Sequence, residues 1–324
     1  RHMTFHELLQ PTQGKPHVVV VLGKGGVGKT TTSIMIASEL SRFGNTLLIS
    51  FDPAKHIIKY LNIGEPMKIY EISNNLHVYQ LDINLAIREI TSQYIDLLHE
   101  LLPSLTVLNL ENVVKVLKYM PGVEEEVFLR KLLEVYKMDK YNYVVIDTPP
   151  TGVALRTLAL PKLYGVWVEK LIEIREKIVA LRYVVEKTLG KSTTVHDPAL
   201  KKLYTMREEY GRLSALLSDA ARTSYVAVAN PEPLPIHEMK EVVAFLENEL
   251  GTRPKLLVLN KVFPRDVAEK LGVAEQQSRY VEEVRSMPYN SVAIEYVVDP
   301  PSSLEDVHRL LKSVYPLRML YGSA

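Results

Sequence analysis

GKGGVGKTT, Gly23 to Thr31, stands between the apolar run HVVVVL (17–22) and a helical pattern through Ile34, Ala37 and Leu40. It satisfies G-x-x-x-x-G-K-[ST] with Gly23, Gly28, Lys29 and Thr30, in the strand, loop and helix context that this motif requires. Gly25, Gly26 and Gly28 let backbone N–H groups, those of Val27 and Thr31 among them, turn inward around phosphate oxygens. The helix that follows adds its positive N-terminal end. Lys29 then sets a charge against the β and γ phosphates, and the Thr30 hydroxyl is the expected Mg²⁺ ligand. The ligands predicted from this stretch are ATP and Mg²⁺.

Outward from the loop, short β-rich apolar runs fall at 18–22, 46–50, 78–81, 143–146, 225–229 and 256–259, with helical patterns between most of them. That alternation predicts an α/β P-loop NTPase fold, a mainly parallel sheet flanked by helices. Two intervals are too long for simple crossovers. Ile87, Ile90, Tyr94, Leu97 and Leu101 recur at helical spacing, continued through Val113, Leu117 and Met120 to Leu129, Leu132 and Val135. Leu163, Trp167, Leu171, Ile174, Ile178, Leu181, Val185 and Leu189 keep the spacing over about seven turns, and Leu203, Met206, Tyr210, Leu213 and Leu217 repeat it. The expectation is an inserted helical subdomain of residues 85–139 and 162–221, leaving 17–84, 140–161 and 222–324 as the ATPase domain. GKSTTVHDP (190–198) is the polar break between the two long helices. Ser302 and Glu305, after Pro300-Pro301, predict a capping box opening a last helix through Leu304, Val307, Leu311 and Val314.

Length and composition bound the rest. The chain of 324 residues is enough for about two domains. Lys and Arg number 39 against 38 Asp and Glu, so no charge excess argues for a nucleic-acid partner, and none is expected. The absence of cysteine excludes disulfides, thiol nucleophiles, zinc–thiolate sites and iron–sulfur clusters. The longest apolar run is too short to cross a bilayer. Residues 1–16 read as a tag scar, Arg1-His2 before Met3, followed by an N-terminal extension with no signal-peptide pattern, and a cytoplasmic location is expected.

Two more strand ends fit phosphate chemistry. After NTLLIS comes Asp52, placed to orient or deprotonate an attacking water. After YNYVVI comes DTPPTG, with Asp147 as a second carboxylate that holds Mg²⁺ through water, then Pro149, Thr151, and Gly152 free to turn toward a γ phosphate. Either Asp alone could merely cap a turn. Three such motifs at three strand ends make coincidence a poor explanation.

Lys24 makes the loop K-G-G-x-G-K-[ST], which resembles the deviant Walker A ATPases. The resemblance implies that Lys24 reaches across a homodimer interface and acts on the partner's nucleotide, as an arginine finger does. GKGGVGKTT, LLISFDPA, VVIDTPPTGVALRTLALP, TSYVAVANPEPLPIHEMKEVV and LLVLNKVFP together resemble the arsenical-pump ATPase family, including the ATPases that deliver tail-anchored membrane proteins. MPGVEEE (120–126) is similar to a segment that precedes the second switch. The resemblance implies Asp52 in switch I, Asp147 to Gly152 in switch II and Asn260 on the adenine edge. It further implies a transmembrane-helix client and a membrane receptor.

Departures accompany the likeness. Switch I of the family continues D-P-A-H-N-x-S-D, whereas this chain has Asp52-Pro53-Ala54-Lys55-His56-Ile57-Ile58-Lys59. Without cysteine there is neither a C-x-x-C zinc clasp nor thiolates to sense arsenite, and the family's methionine-rich client loop has no match. The leading expectation is an ATP-hydrolysing dimeric switch that delivers a hydrophobic client. A division-site or partition ATPase that binds membrane or DNA is the alternative from another class. A family member with a regulatory partner and no membrane-protein client is the third. The stripe from Leu163 to Ile178 separates them, lining either a client groove or a closed core.

Overall fold

The computed structural model describes residues 4–12, 15–101, 110–117, 122–191 and 197–320. Arg1 to Met3, Met120, Pro121 and residues 192–196 of the polar break lie outside the described residues, as do the side chains of Tyr94, Leu97, Leu101, Val113 and Leu117. The strands are β1 (His17–Gly23), β2 (Thr46–Ser50), β3 (Ile69–Ser73), β4 (Leu76–Gln80), β5 (Tyr143–Asp147), β6 (Thr223–Ala229), β7 (Leu256–Val262), β8 (Ser291–Glu295) and β9 (Val314–Arg318). They form one sheet in the order β3-β4-β2-β5-β1-β6-β7-β8-β9. All neighbours pair in parallel except β3 with β4 and β8 with β9, the antiparallel edges. The mainly parallel sheet is as expected, with β3, β8 and β9 added to the strands visible in the apolar runs. Pro316 in β9 sits on an edge, where the missing N–H costs no ladder bond.

The helices are α1 (Phe5–Leu9), α2 (Lys29–Leu40), α3 (His56–Leu61), α4 (Ile83–Leu101), α5 (Leu110–Leu117), α6 (Val123–Val135), α7 (Thr151–Thr188), α8 (Pro198–Ser218), α9 (Pro233–Asn248), α10 (Arg265–Leu271), α11 (Ala274–Ser286) and α12 (Leu304–Leu310). Strand side chains alternate between faces, so β1 supplies both halves of the core. Val18, Val20 and Leu22 pack with Phe128, Leu158, Leu213 and Met239 of α6 to α9. Val19 and Val21 pack with Ile34 and Leu40 of α2 and Val307 of α12. A strand covered on both sides has no solvent face, which is why β1 is a continuous apolar run.

The C-terminal helix departs from expectation. It ends at Leu310; Leu311–Ser313 is a 3₁₀ turn, and Val314 begins β9. Its cap also lies one residue later than predicted. Ser303 Oγ accepts from the Asp306 N–H at 3.2 Å, while Asp306 Oδ2 accepts from both the N–H and the hydroxyl of Ser302 at 3.0 Å. Asp306, not Glu305, faces back along the chain, and its shorter side chain closes the box.

α7 runs unbroken for 38 residues, about 57 Å, through Pro161 and across the boundary expected at 161–162. Gly152 lies in its first turn and not in a loop. Ala154, Leu158, Pro161, Val168 and Ile172 are its buried stripe. α8 returns antiparallel, with Tyr164 edge-on to Tyr210 and Arg175 gripping Asp197 through Nε at 2.6 Å and NH2 at 3.2 Å. Among the described residues, no helix is long and apolar enough to cross a membrane.

Candidate active site

The phosphate loop leaves β1 at the point where chain connections diverge to β5 on one side and β6 on the other, the usual place for a ligand crevice in an open α/β sheet. Two glycines are required there. A Cβ on Gly23 would lie 2.5 Å from the Val228 carbonyl oxygen of the neighbouring strand. Gly28 caps α2 at φ +85°, and a Cβ there would lie 2.0 Å from Asn260 Nδ2. Lys29, Thr30 and Thr31 then form the first turn of α2. A cavity of about 440 Å³ lies over the loop, lined by Lys24, Gly25, Gly26, Gly28, Lys29, Thr30, Thr31, Asp52 and Asn260, with Tyr296 to Val298 on the far wall. Val27 is buried beneath the loop, and its N–H donates to the Lys24 carbonyl at 3.4 Å.

Strand register brings the two predicted carboxylates to this spot. Asp147 ends β5 opposite Val21 of β1 and Ser50 of β2. Its carboxylate is fully buried: Oδ2 accepts from the hydroxyls of Thr30 and Ser50, each at 2.7 Å, while Oδ1 has no hydrogen-bond partner among the described residues. Lys29 Nζ lies 3.8 Å from Oδ1 and donates to the carbonyls of Thr148 and Pro149. Burial pushes the Lys29 ammonium down, against the pull of Asp147 and then Asp52. Burial pushes the Asp147 carboxyl up, opposed by Lys29 and by the Thr30 and Ser50 hydroxyls. An orphaned carboxylate oxygen beside a threonine hydroxyl is a hard-oxygen donor set, and it fits a small divalent cation with its waters.

Asp52 lies two residues beyond β2. Its Oδ1 accepts from the Ala54 N–H at 3.1 Å and its Oδ2 from the His56 N–H at 3.0 Å, while His56 Nδ1 stands 2.6 Å from Oδ2. The Gln80 amide donates to the carbonyls of Ser50, Asp52 and Leu81, bracing the segment from below. Lys55 bonds Asp82 at 2.6 Å, and Asp82 in turn accepts from the Leu85 N–H at the start of α4. Asn260 Nδ2 donates to the Val27 carbonyl at 2.8 Å, tying β7 to the loop, and Lys261 donates to Gly26. In switch II, Thr148 reaches the Val21 carbonyl, and Thr151 reaches Glu238 of α9 at 3.3 Å. Lys24 makes no ion pair among the described residues.

Of the expected site residues, Lys24, Gly25, Gly26, Gly28, Lys29, Thr30, Thr31, Asp52 and Asn260 line one cavity, whereas Gly23, Val27, Asp147 and Pro149 lie outside its lining, Thr151 turns to α9 and Gly152 is inside α7. Ser50, Gln80, His56 and Lys261 were missed. The signal for Ser50 was there: a hydroxyl at the end of an apolar strand that must pair beside the strand ending in Asp147. For Gln80 and Lys261 no sequence signal existed, since each acts on backbone brought near by folding.

A doubled-lysine phosphate loop, a buried carboxylate beside its threonine and a second carboxylate one strand away define a P-loop ATPase. A family model described as anion-transporting ATPase, the ArsA type, matches residues 16–301, and the chain belongs to that family. It is 34% identical to the putative arsenical pump-driving ATPase 2 of Aquifex aeolicus, over 85% of this chain and 91% of that protein. It is 30% identical to the ATPase ASNA1 homolog of Plasmodium vivax, over 94% and 80%, and 25% identical to ATPase get3 of Pyrenophora tritici-repentis, over 90% and 88%. The protein is an ATPase that hydrolyses ATP.

Along α7 the stripe Leu163, Trp167, Leu171, Ile174 and Ile178 is exposed, Trp167 at 62% and Ile174 at 57% of full accessibility. Leu181, Val184, Val185 and Leu189 continue the exposure to the helix end.

Proposed function

We propose that the protein is an ATP-driven, cytoplasmic homodimeric switch that binds a hydrophobic transmembrane helix and hands it to a membrane receptor, as the likeness to tail-anchored-protein targeting ATPases implies. The ATPase domain is 17–84, 140–161 and 222–324, and the client region is the helical subdomain, 85–139 and 162–221. The observation that carries this reading is the exposed stripe on α7. Ordinary monomers seldom expose so extended an apolar surface. Each Leu or Ile in it gains about 1.5–3 kcal/mol when a partner helix covers it fully.

In the ATPase cycle, Lys29 and the loop N–H groups bind the phosphates, and Thr30, with Asp147 through water, would hold Mg²⁺, which would supply neutralising charge to the phosphates. Asp52 orders the attacking water. Lys24, without an ion-pair partner among the described residues, supplies charge to the partner's nucleotide. Asn260 keeps Nδ2 on Val27 and offers Oδ1 to the adenine amino group. The long insertion, with α7 begun directly by switch II, favours this reading over a division-site or partition ATPase.

The test is capture of a synthetic transmembrane peptide in detergent-free buffer. ATP-loaded wild type should retain it and ADP-loaded protein release it, while Ile174→Asp, folded normally, should retain none. Equal capture by Ile174→Asp places the client elsewhere; absence of capture in any nucleotide state rejects the client altogether.

A further inference from the structure

His56 follows Asp52-Pro53-Ala54-Lys55. It opens α3, lines the same cavity as the phosphate loop, and stacks on Tyr60 one turn later with ring centroids 5.5 Å apart. Through its backbone N–H and its Nδ1 it meets one oxygen of Asp52, Oδ2, while among the described residues Oδ1 receives only the Ala54 N–H. Oδ2 is thereby occupied twice and Oδ1 keeps a free lone pair. Lys55, at φ +54° and held by Asp82, fixes the backbone directly before His56.

We propose that His56 is a positioning residue for ATP hydrolysis: it holds the Asp52 carboxylate by Oδ2 so that Oδ1 is the oxygen presented to water. The proposal rests on Asp52 being the residue that orders that water. In the step it serves, the water oxygen bonds to the γ phosphorus as the bond to the β–γ bridging oxygen breaks. ADP leaves with that electron pair, and the water's proton passes to Asp52 Oδ1 and from there to the released phosphate.

The ring's Nδ1 faces Oδ2, where an Nδ1–H donates to it. Sharing the cavity with His56 are Asp52 from the end of β2, Tyr60 from its own helix, Lys24 and Lys29 from the loop, and Lys261, Glu295 and Tyr296 from the far wall.

The experiment is steady-state ATP turnover with Mg²⁺ for wild type, His56→Ala, His56→Asn and Asp52→Asn. His56→Ala should lose about tenfold or more in kcat with KM for ATP within about twofold. His56→Asn, whose amide can donate near the place of Nδ1, should recover most of the loss. Wild-type kcat in His56→Ala, or no recovery in His56→Asn, overturns the proposal. Should His56→Ala not fold, His56→Phe, which keeps a ring against Tyr60 and removes the Nδ1 donor, should show the same loss in kcat, and wild-type kcat there overturns the proposal. Unchanged turnover in Asp52→Asn overturns the reading beneath it, whereas an impaired Asp52→Asn beside an unimpaired His56→Ala overturns the role of His56 only.

Discussion

At the phosphate-loop end of the sheet, Asp147 is fully buried, with Thr30 and Ser50 on one oxygen and Lys29 facing the other. Along the outer part of α7, Ile174, Ile178, Leu181 and Val185 stand in the open. Buried charge is tolerable only when paired, so the first region admits few substitutions. Exposed apolar surface is tolerable in a folded monomer and carries no penalty for change, so the second can be altered without unfolding the chain. The chemistry of this protein is thus tied to its stability, and the exposed stripe of α7 is not.

The largest effect expected is at the loop. Lys29→Ala should abolish nucleotide binding in a calorimetric titration, whereas Lys24→Ala should bind ATP nearly as wild type and lose most turnover, because in the proposed dimer its charge acts only on the partner's nucleotide. Concentration-independent wild-type turnover by a strict monomer would break the second half. Next comes a pair of neighbours on α7. Ile172 faces the packed side, and Ile172→Asp should cost about 4 kcal/mol in a urea melt by burying an unpaired carboxylate.

A third expectation concerns pH. His17, at the start of β1, sits between the Ala221 carbonyl at 3.0 Å and the Ser224 hydroxyl at 2.8 Å, and burial foremost holds its pKa at about 4. The folded state therefore takes up this proton later than the unfolded chain does. The contribution, on the order of 3 kcal/mol, is whole above about pH 6.5 and is lost as pH falls toward 4. Urea melts across that window should show the loss, and His17→Asn should flatten it. The smallest effect is at the other end of the comparison: Ile174→Asp should melt within about 0.5 kcal/mol of wild type. A loss near that of Ile172→Asp would move Ile174 into the core and end the comparison.

Much of the site was legible because it is local. GKGGVGKTT carries its own strand, loop and helix signals, and Asp52 and Asp147 each follow a β-rich run directly. What escaped were contacts made across the chain. The Asn260 bond to Val27 spans two strands, and Gln80 holds the Asp52 carbonyl from the next strand over. The C-terminal strand was hidden for another reason: Leu304, Val307, Leu311 and Val314 keep helical spacing across a stop that the periodicity does not mark.

Sequence by itself determined the α/β class, the phosphate loop with its two lysines and the helical spacing along α7 and α8, since each follows from short-range spacing and turn chemistry. The tertiary structure alone decided which side of α7 is core. Two apolar stripes at the same spacing lie side by side on that helix. One runs through Leu163, Trp167, Leu171, Ile174 and Ile178; the other runs one residue on, through Ala154, Leu158, Pro161, Val168 and Ile172. Periodicity says that a stripe can be buried but not what lies opposite it. α8 docks on the second, with Arg175 in its line clamped to Asp197, and the first is left to solvent.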